Sequence, residues 1–105
     1  MSYQRYETEL FREQLARIRR SDKRTAEQID QVVDRILANP HNWDGLLKGP
    51  RAGQCKKKAV KKKYRIIYRF CELCLKLNKR KCSDCELPDD AVILREVFPR
   101  AEGYD

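Results

Sequence analysis

The sequence is short of the residues that most often mark chemistry or flexibility. It has one histidine, one tryptophan and one methionine among 105 residues, with four glycines and four prolines. A ribonuclease that works through two histidines is thereby excluded. The single histidine, His41, follows Asn39-Pro40 in a loop and reads as a surface or cap residue. No apolar run approaches the roughly 20 residues of a membrane span. The opening residues, Met1-Ser2-Tyr3-Gln4-Arg5, form no apolar export signal, so a cytoplasmic protein is expected. No internal repeat and no Gly/Ser-rich linker divides the chain. Its length leaves room for one domain over residues 1–105, and none for a two-domain enzyme with a closing cleft.

Acidic residues are missing from one stretch. Between positions 45 and 71 there are ten basic residues and no acid: Lys48, Arg51, Lys56, Lys57, Lys58, Lys61, Lys62, Lys63, Arg65 and Arg69. They dominate a net charge of +8, which favours a polyanionic partner. Apolar residues make up 41% and charged residues 38%, enough for a small core under a heavily charged surface.

The pattern of that core points to a mixed α+β fold. Tyr3, Tyr6 and Thr8 fit a short strand. Phe11, Leu15 and Ile18 recur at steps of four and three, one face of a helix. Ser21 or Asp22 can cap a second helix, whose stripe is Ile29, Val32, Val33, Ile36 and Leu37. Asn39-Pro40 ends it. Gly45, Gly49, Pro50 and Gly53 mark a loop. Residues 55–60, 64–70 and 91–98 read as strands, the first two joined through a Lys61-Lys62-Lys63 turn. The expected architecture is an N-terminal strand and a helical hairpin packed on an antiparallel sheet, in the order β-α-α-β-β-β.

Four of the five cysteines form two Cys-x-x-Cys pairs, Cys71/Cys74 and Cys82/Cys85, with seven residues between them. Four thiolates at that spacing can converge on one tetrahedral zinc ion. The intervening segment carries four basic residues, which help keep thiols deprotonated. Such a site has no open position, so the zinc would be structural. Two disulfides, free thiols or an iron–sulfur cluster are the alternatives. Cys55 is left over and reads as a buried thiol.

Three segments carry a resemblance. Leu46-Leu47-Lys48-Gly49, Tyr64-Arg65-Ile66-Ile67-Tyr68 and Phe98-Pro99-Arg100-Ala101-Glu102-Gly103-Tyr104 resemble motifs of the RelE/ParE toxin superfamily. The resemblance covers nearly the whole chain except residues 71–88, a four-cysteine insertion in the hairpin between the last two strands. It implies a RelE-like fold and one of two activities. RelE-like members cleave mRNA in the ribosomal A site and stop translation. ParE-like members inhibit DNA gyrase. Either kind implies a cognate antitoxin protein as partner.

For a cleaving enzyme the resemblance implies a metal-independent endoribonuclease. Lys56 and Lys58 match the family's paired lysines, Arg65 its strand arginine and Tyr104 its C-terminal tyrosine. A further family arginine has Phe98 in its place, so Arg95 or Arg100 must substitute. The expected catalytic set is therefore Lys56, Lys58, Arg65, Arg100 and Tyr104. Lys48, Arg51, Lys57, Lys61, Lys62, Lys63, Arg69 and Arg95 are expected to bind RNA. Lys57 stands where the family has an apolar residue, and a bulge could shift the register there. A zinc-containing nucleic-acid-binding module without catalysis is a third reading.

Overall fold

The computed structural model describes residues 3–47, 53–73, 88 and 90–100. Its elements are β1 (Gln4–Glu7), α1 (Glu9–Ser21), α2 (Lys23–Ala38), β2 (Gly45–Leu46), β3 (Cys55–Ala59), β4 (Tyr64–Phe70) and β5 (Ala91–Pro99). None of these helices is long and apolar enough to cross a membrane.

Each helix starts where a side-chain oxygen can take an orphan backbone N–H. The Thr8 hydroxyl accepts from Phe11 N at 3.1 Å and donates to the Arg95 carbonyl at 2.8 Å, so it ties α1 to β5. Asp22 closes α1 and opens α2. Its N–H bonds the Ile18 carbonyl, and its carboxylate accepts from Thr25 N at 3.1 Å and from the Thr25 hydroxyl at 2.6 Å. Those bonds hold the Asp22 carboxyl below its usual range. A one-residue joint gives a tight helical hairpin. Asn39 ends α2, with its N–H on the Arg35 carbonyl.

The five strands lie in the order β1-β5-β4-β3-β2. The antiparallel pairing expected for the sheet holds from β2 through β5. Strand β1 is the exception, since it runs parallel to β5 with Tyr6 beside Ile93. The sheet is therefore mixed. Strand β2 is a further addition, because residues 45–46 were expected in a loop. It is only two residues long, and it owes its strand character to pairing with Cys55 and Lys56.

Alternation along β4 divides the sheet into two faces. Ile66, Tyr68 and Phe70 join Phe11, Ile29, Val33 and Ile36 in one buried cluster, with Tyr64 packed at its rim. This is the helix side, and Cys55, Leu94 and Val97 complete it. The remaining β4 residues, Arg65, Ile67 and Arg69, must face the other way. Cys55 is fully buried, as expected, and burial pushes its thiol up to about 12.

Both open edges of the sheet are blunted by side chains. Where β1 has ended, Gln14 Oε1 accepts from Val97 N at 2.8 Å. Where β2 has ended, Asp44 Oδ2 accepts from Lys58 N at 2.7 Å. Edge N–H groups covered in this way do not invite another strand.

The Tyr68 hydroxyl is buried and donates to the Pro40 carbonyl at 2.8 Å, fastening the end of α2 to the middle of the sheet. Burial pushes this phenol far above its usual range, so it stays a donor. Tyr68→Phe should lower the free energy of unfolding by about 1–2 kcal/mol in urea titration, because the Pro40 carbonyl loses its buried partner. A change within error would mean that water replaces the hydroxyl.

Candidate functional site

The sheet face away from the helices, open only in that no described helix packs on it, gathers the cations that alternation keeps out of the core, with Ile67 and Arg65 buried on it. In the β3–β4 register, Lys58 lies opposite Arg65 and Lys56 opposite Ile67. In the β4–β5 register, Arg65 lies opposite Phe98 and Ile67 opposite Glu96. Two rows cross the face: Lys58, Arg65 and Phe98, then Lys56, Ile67 and Glu96. Arg69 continues the line along β4. Like charges directly opposite on adjacent strands destabilise a sheet. Lys58 and Arg65 are such a like-charge pair.

Lys56 passes over Gly45. A β-carbon at Gly45 would already lie 3.4 Å from Lys56 Cε, so a longer side chain would displace the lysine. Lys58 is exposed on the same face. Arg65 is different: it is 4% exposed, a charged group sunk into the protein surface. Its Nη1 reaches the Lys62 carbonyl at 3.4 Å, a long contact. A guanidinium in such surroundings acts more strongly on an anion than one in bulk water.

Lys57 belongs to the other side. It shares the helix-side face with Cys55 and Ala59, opposite Ile66. Its chain runs out to the surface, where Nζ donates to the Asn42 carbonyl at 2.9 Å. No bulge interrupts β3 against β4. The irregularity lies between β4 and β5 at Ile67/Tyr68, where Arg95 is the extra residue.

Lys61, Lys62 and Lys63 are exposed in the β3–β4 turn. Val60, Lys61 and Lys62 have φ of 51°, 54° and 70°, three successive non-glycine residues in the left-handed region. Each is held at a cost of about 1–3 kcal/mol, most awkwardly for β-branched Val60. Arg100 is exposed beside this turn, its N–H bonded to the Lys63 carbonyl at 2.8 Å. Arg95 is half-buried at the bulge. Thus Lys56, Lys58, Arg65 and Arg69 share the open face. The turn lysines and Arg100 sit at its end, and Lys57 is apart. Lys48, Arg51 and Tyr104 lie outside the described residues.

Among the four paired cysteines, only Cys71 is described. It follows β4 directly, opens a helical turn at 71–73, and is buried with Ala91 and Ile93 under Tyr6. Cys74, Cys82 and Cys85 lie outside the described residues. Among the described residues, no three His, Cys, Asp or Glu side chains gather as a metal site.

Two features had no signal in the sequence. Asp44 places a carboxylate beside the lysines of β3 from 14 positions away. His41 Nε2 meets Glu72 Oε1 at 2.6 Å, and the Tyr3 hydroxyl donates to the same oxygen at 3.2 Å. Burial, then Glu72, hold the Tyr3 phenol above its usual range. The His41 ring also packs edge-on against Phe70 at 5.0 Å. This group lies at the far end of β4 from Arg65.

Neither a family model nor a curated protein matches the sequence. Solved structures do match. The RelBE2 toxin-antitoxin complex from Mycobacterium tuberculosis contains a chain with TM-score 0.67 and 19% identity, covering 97% of this chain and 95% of that one. The YoeB/ParE toxin from Agrobacterium tumefaciens gives TM-score 0.63 and 18% identity, covering 92% and 98%. At these identities the likeness is one of fold. The chain has the α+β fold of RelE-like toxins, with a helical hairpin on a five-stranded sheet.

The two faces of β3 give a direct test. Lys56→Ala and Lys58→Ala should each weaken binding of a labelled single-stranded RNA and flatten its salt dependence by about 0.7 in log–log slope. Lys57→Met should leave the slope unchanged. Equal effects at all three positions would show that strand alternation does not govern the contact.

Proposed function

We propose that this chain is the toxin of a toxin–antitoxin pair and acts as an endoribonuclease on mRNA at the ribosome, in the cytoplasm. The observation that carries the reading is the helix-free sheet face, where the register sets Lys58 beside Arg65 and Lys56 on the same side. The fold shared with RelBE2 and YoeB/ParE toxins supports it. The antitoxin partner is proposed from the same likeness, since one of those structures is a toxin-antitoxin complex.

The chemistry needs three things from the protein. The RNA 2′-oxygen attacks the adjacent phosphorus while its proton passes to a base, for which Lys58 or Lys56 is available. The charge that builds on the phosphorane oxygens needs fixed cations, and Arg65 and Arg100 are assigned to it. The P–O5′ bond then breaks, and the leaving oxygen takes a proton, the role given to Tyr104. The products are a 2′,3′-cyclic phosphate and a 5′-hydroxyl, so atoms and protons balance. No metal takes part in this sequence.

In the same reading the insertion at 71–88 is a zinc knuckle held by Cys71, Cys74, Cys82 and Cys85. The donor set fits: four thiols in two Cys-x-x-Cys pairs, with Cys71 fixed at the end of β4. Zinc would supply cross-linking of the insertion and no reaction chemistry.

The burial of Arg65 favours a second reading. A guanidinium 4% exposed is poorly open to a phosphate unless the face rearranges. A protein that blocks its target without cutting, such as a gyrase inhibitor, would not need it open.

Transcript cleavage decides between them. Arg65→Ala should cost roughly 3 kcal/mol of transition-state stabilisation, or about a hundredfold in rate, with the fold intact by circular dichroism. Tyr104→Phe keeps the ring and removes the hydroxyl. A large loss assigns it proton transfer, and retained activity leaves it as a stacking platform. Growth arrest by wild type without any cut transcript would transfer the assignment to the gyrase reading.

The metal is tested separately. Elemental analysis should find about one zinc per chain, and a chelator should lower the melting temperature. A metal-free protein with two disulfides by mass spectrometry would overturn the knuckle.

A further inference from the structure

We propose that the tip of the helical hairpin is a second phosphate-binding surface, one that grips the backbone of folded, duplex-containing RNA. This rests on reading the sheet face as an RNA site. It adds the hairpin-tip residues to the turn lysines and Arg100 already placed at the end of that face, and a different form of RNA.

Residues 17–24 hold five cations, Arg17, Arg19, Arg20, Lys23 and Arg24, and a single acid, Asp22. Two of the charges are used within the fold. Arg19 pairs with Asp30 at 2.8 Å, and the Asp22 carboxylate caps α2 through Thr25. The other four cations are exposed and none contacts a described carboxylate as an ion pair, although Arg24 attracts the Asp22 carboxylate through space.

The stability of the helices explains only part of their placement. Arg19 and Arg20 at the C-terminal end of α1 suit its dipole. Lys23 and Arg24 do not suit α2. Its first turn has no acid, and cations stand where the positive end of the helix dipole repels them. The one acid at this end, the N-cap Asp22, is engaged with Thr25.

The tip also has a defined neighbour. A cleft of about 220 Å³ lies between α1 and the ends of β4 and β5, with Arg17 and Ser21 on one wall and Tyr64 and Pro99 on the other. Tyr64 follows the turn of Lys61, Lys62 and Lys63, and Arg100 is bonded to that turn. Hairpin tip and strand turn therefore stand at the same end of the molecule with a cleft between them. Two cation clusters flanking a cleft suit an RNA helix, which presents phosphates on both sides of a groove and is recognised by shape. A single strand offers one line of phosphates and is satisfied by the sheet face.

The test compares wild-type protein with a fourfold variant, Arg17→Gln, Arg20→Gln, Lys23→Gln and Arg24→Gln. Two labelled probes are used: a 12-nucleotide unstructured RNA and a 40-nucleotide RNA hairpin. The variant should bind the hairpin roughly tenfold more weakly at 150 mM salt, its log–log salt slope falling by about 0.9 for each phosphate no longer neutralised. Binding of the 12-mer should stay within about twofold. The melting temperature should hold or rise, since Lys23 and Arg24 no longer oppose the dipole. Hairpin binding that is unchanged, or a loss equal on both probes, would overturn the proposal. So would a wild type that binds neither RNA but loses binding to phosphatidylserine vesicles on substitution, which would make the tip a membrane contact. Because binding is read without cleavage, a protein that cuts nothing can still show the tip at work. Failure here leaves the cleavage assay on Arg65 and Tyr104 untouched.

Discussion

The rest of the structure depends on the two-residue period of β4. Its even-numbered residues, Tyr64, Ile66, Tyr68 and Phe70, pack toward the helical hairpin, and Tyr68 is bonded there to the Pro40 carbonyl. Once that face is fixed, Arg65, Ile67 and Arg69 have only the opposite side to occupy. The register to β3 then assigns Lys56 and Lys58 to the same side and Lys57 to the other. A slip of one residue would carry two arginines into the core and Tyr68 and Phe70 out of it. The hydrophobic core thus also decides which cations stand together.

Several stability costs collect at the end of the molecule where β3 turns into β4. A like-charge pair faces itself across two strands. Three side-chain-bearing residues hold positive φ. Arg65 is buried as a charged group. Two cations stand in the first turn of α2, beside its Asp22 cap, at the neighbouring hairpin tip. Such costs spread evenly would describe an ordinary imperfect fold. Gathered at one end, they set that end apart from the rest of the fold.

What could be read from the sequence follows from the range of the interactions. The strand at 64–70 and both helices were legible because alternation and the three-and-four spacing are local, and Asp22 carries its cap in its own side chain. Strand β2 was not legible. Gly45 and Leu46 form it only because Lys56 and Cys55 lie beside them. The parallel pairing of β1 was hidden for the same reason, with 87 positions between Tyr6 and Ile93. The candidate site was legible as a cluster and not as a face. Three consecutive lysines announce charge, while only the burial of Cys55 and Ala59 shows which of them points away from the core. The cation cluster at 17–24 was passed over because its charges are diluted by the acids of the same helices.

The length of β4 also bears on how the insertion relates to the basic face. Arg65 and Cys71 are six residues apart on one strand and its immediate continuation. At about 3.3 Å per residue, they are separated by roughly 20 Å. An ion held through Cys71 would therefore sit far outside contact with a phosphate held at Arg65. Its effect would reach the open face only through the strands it closes. Cys71 is well placed for that, because Ala91 and Ile93 pack against it at the start of β5. Strand β5 in turn carries Phe98 opposite Arg65. Cys71 thus joins the end of β4 to the start of β5 at the opposite end of the strand from Arg65.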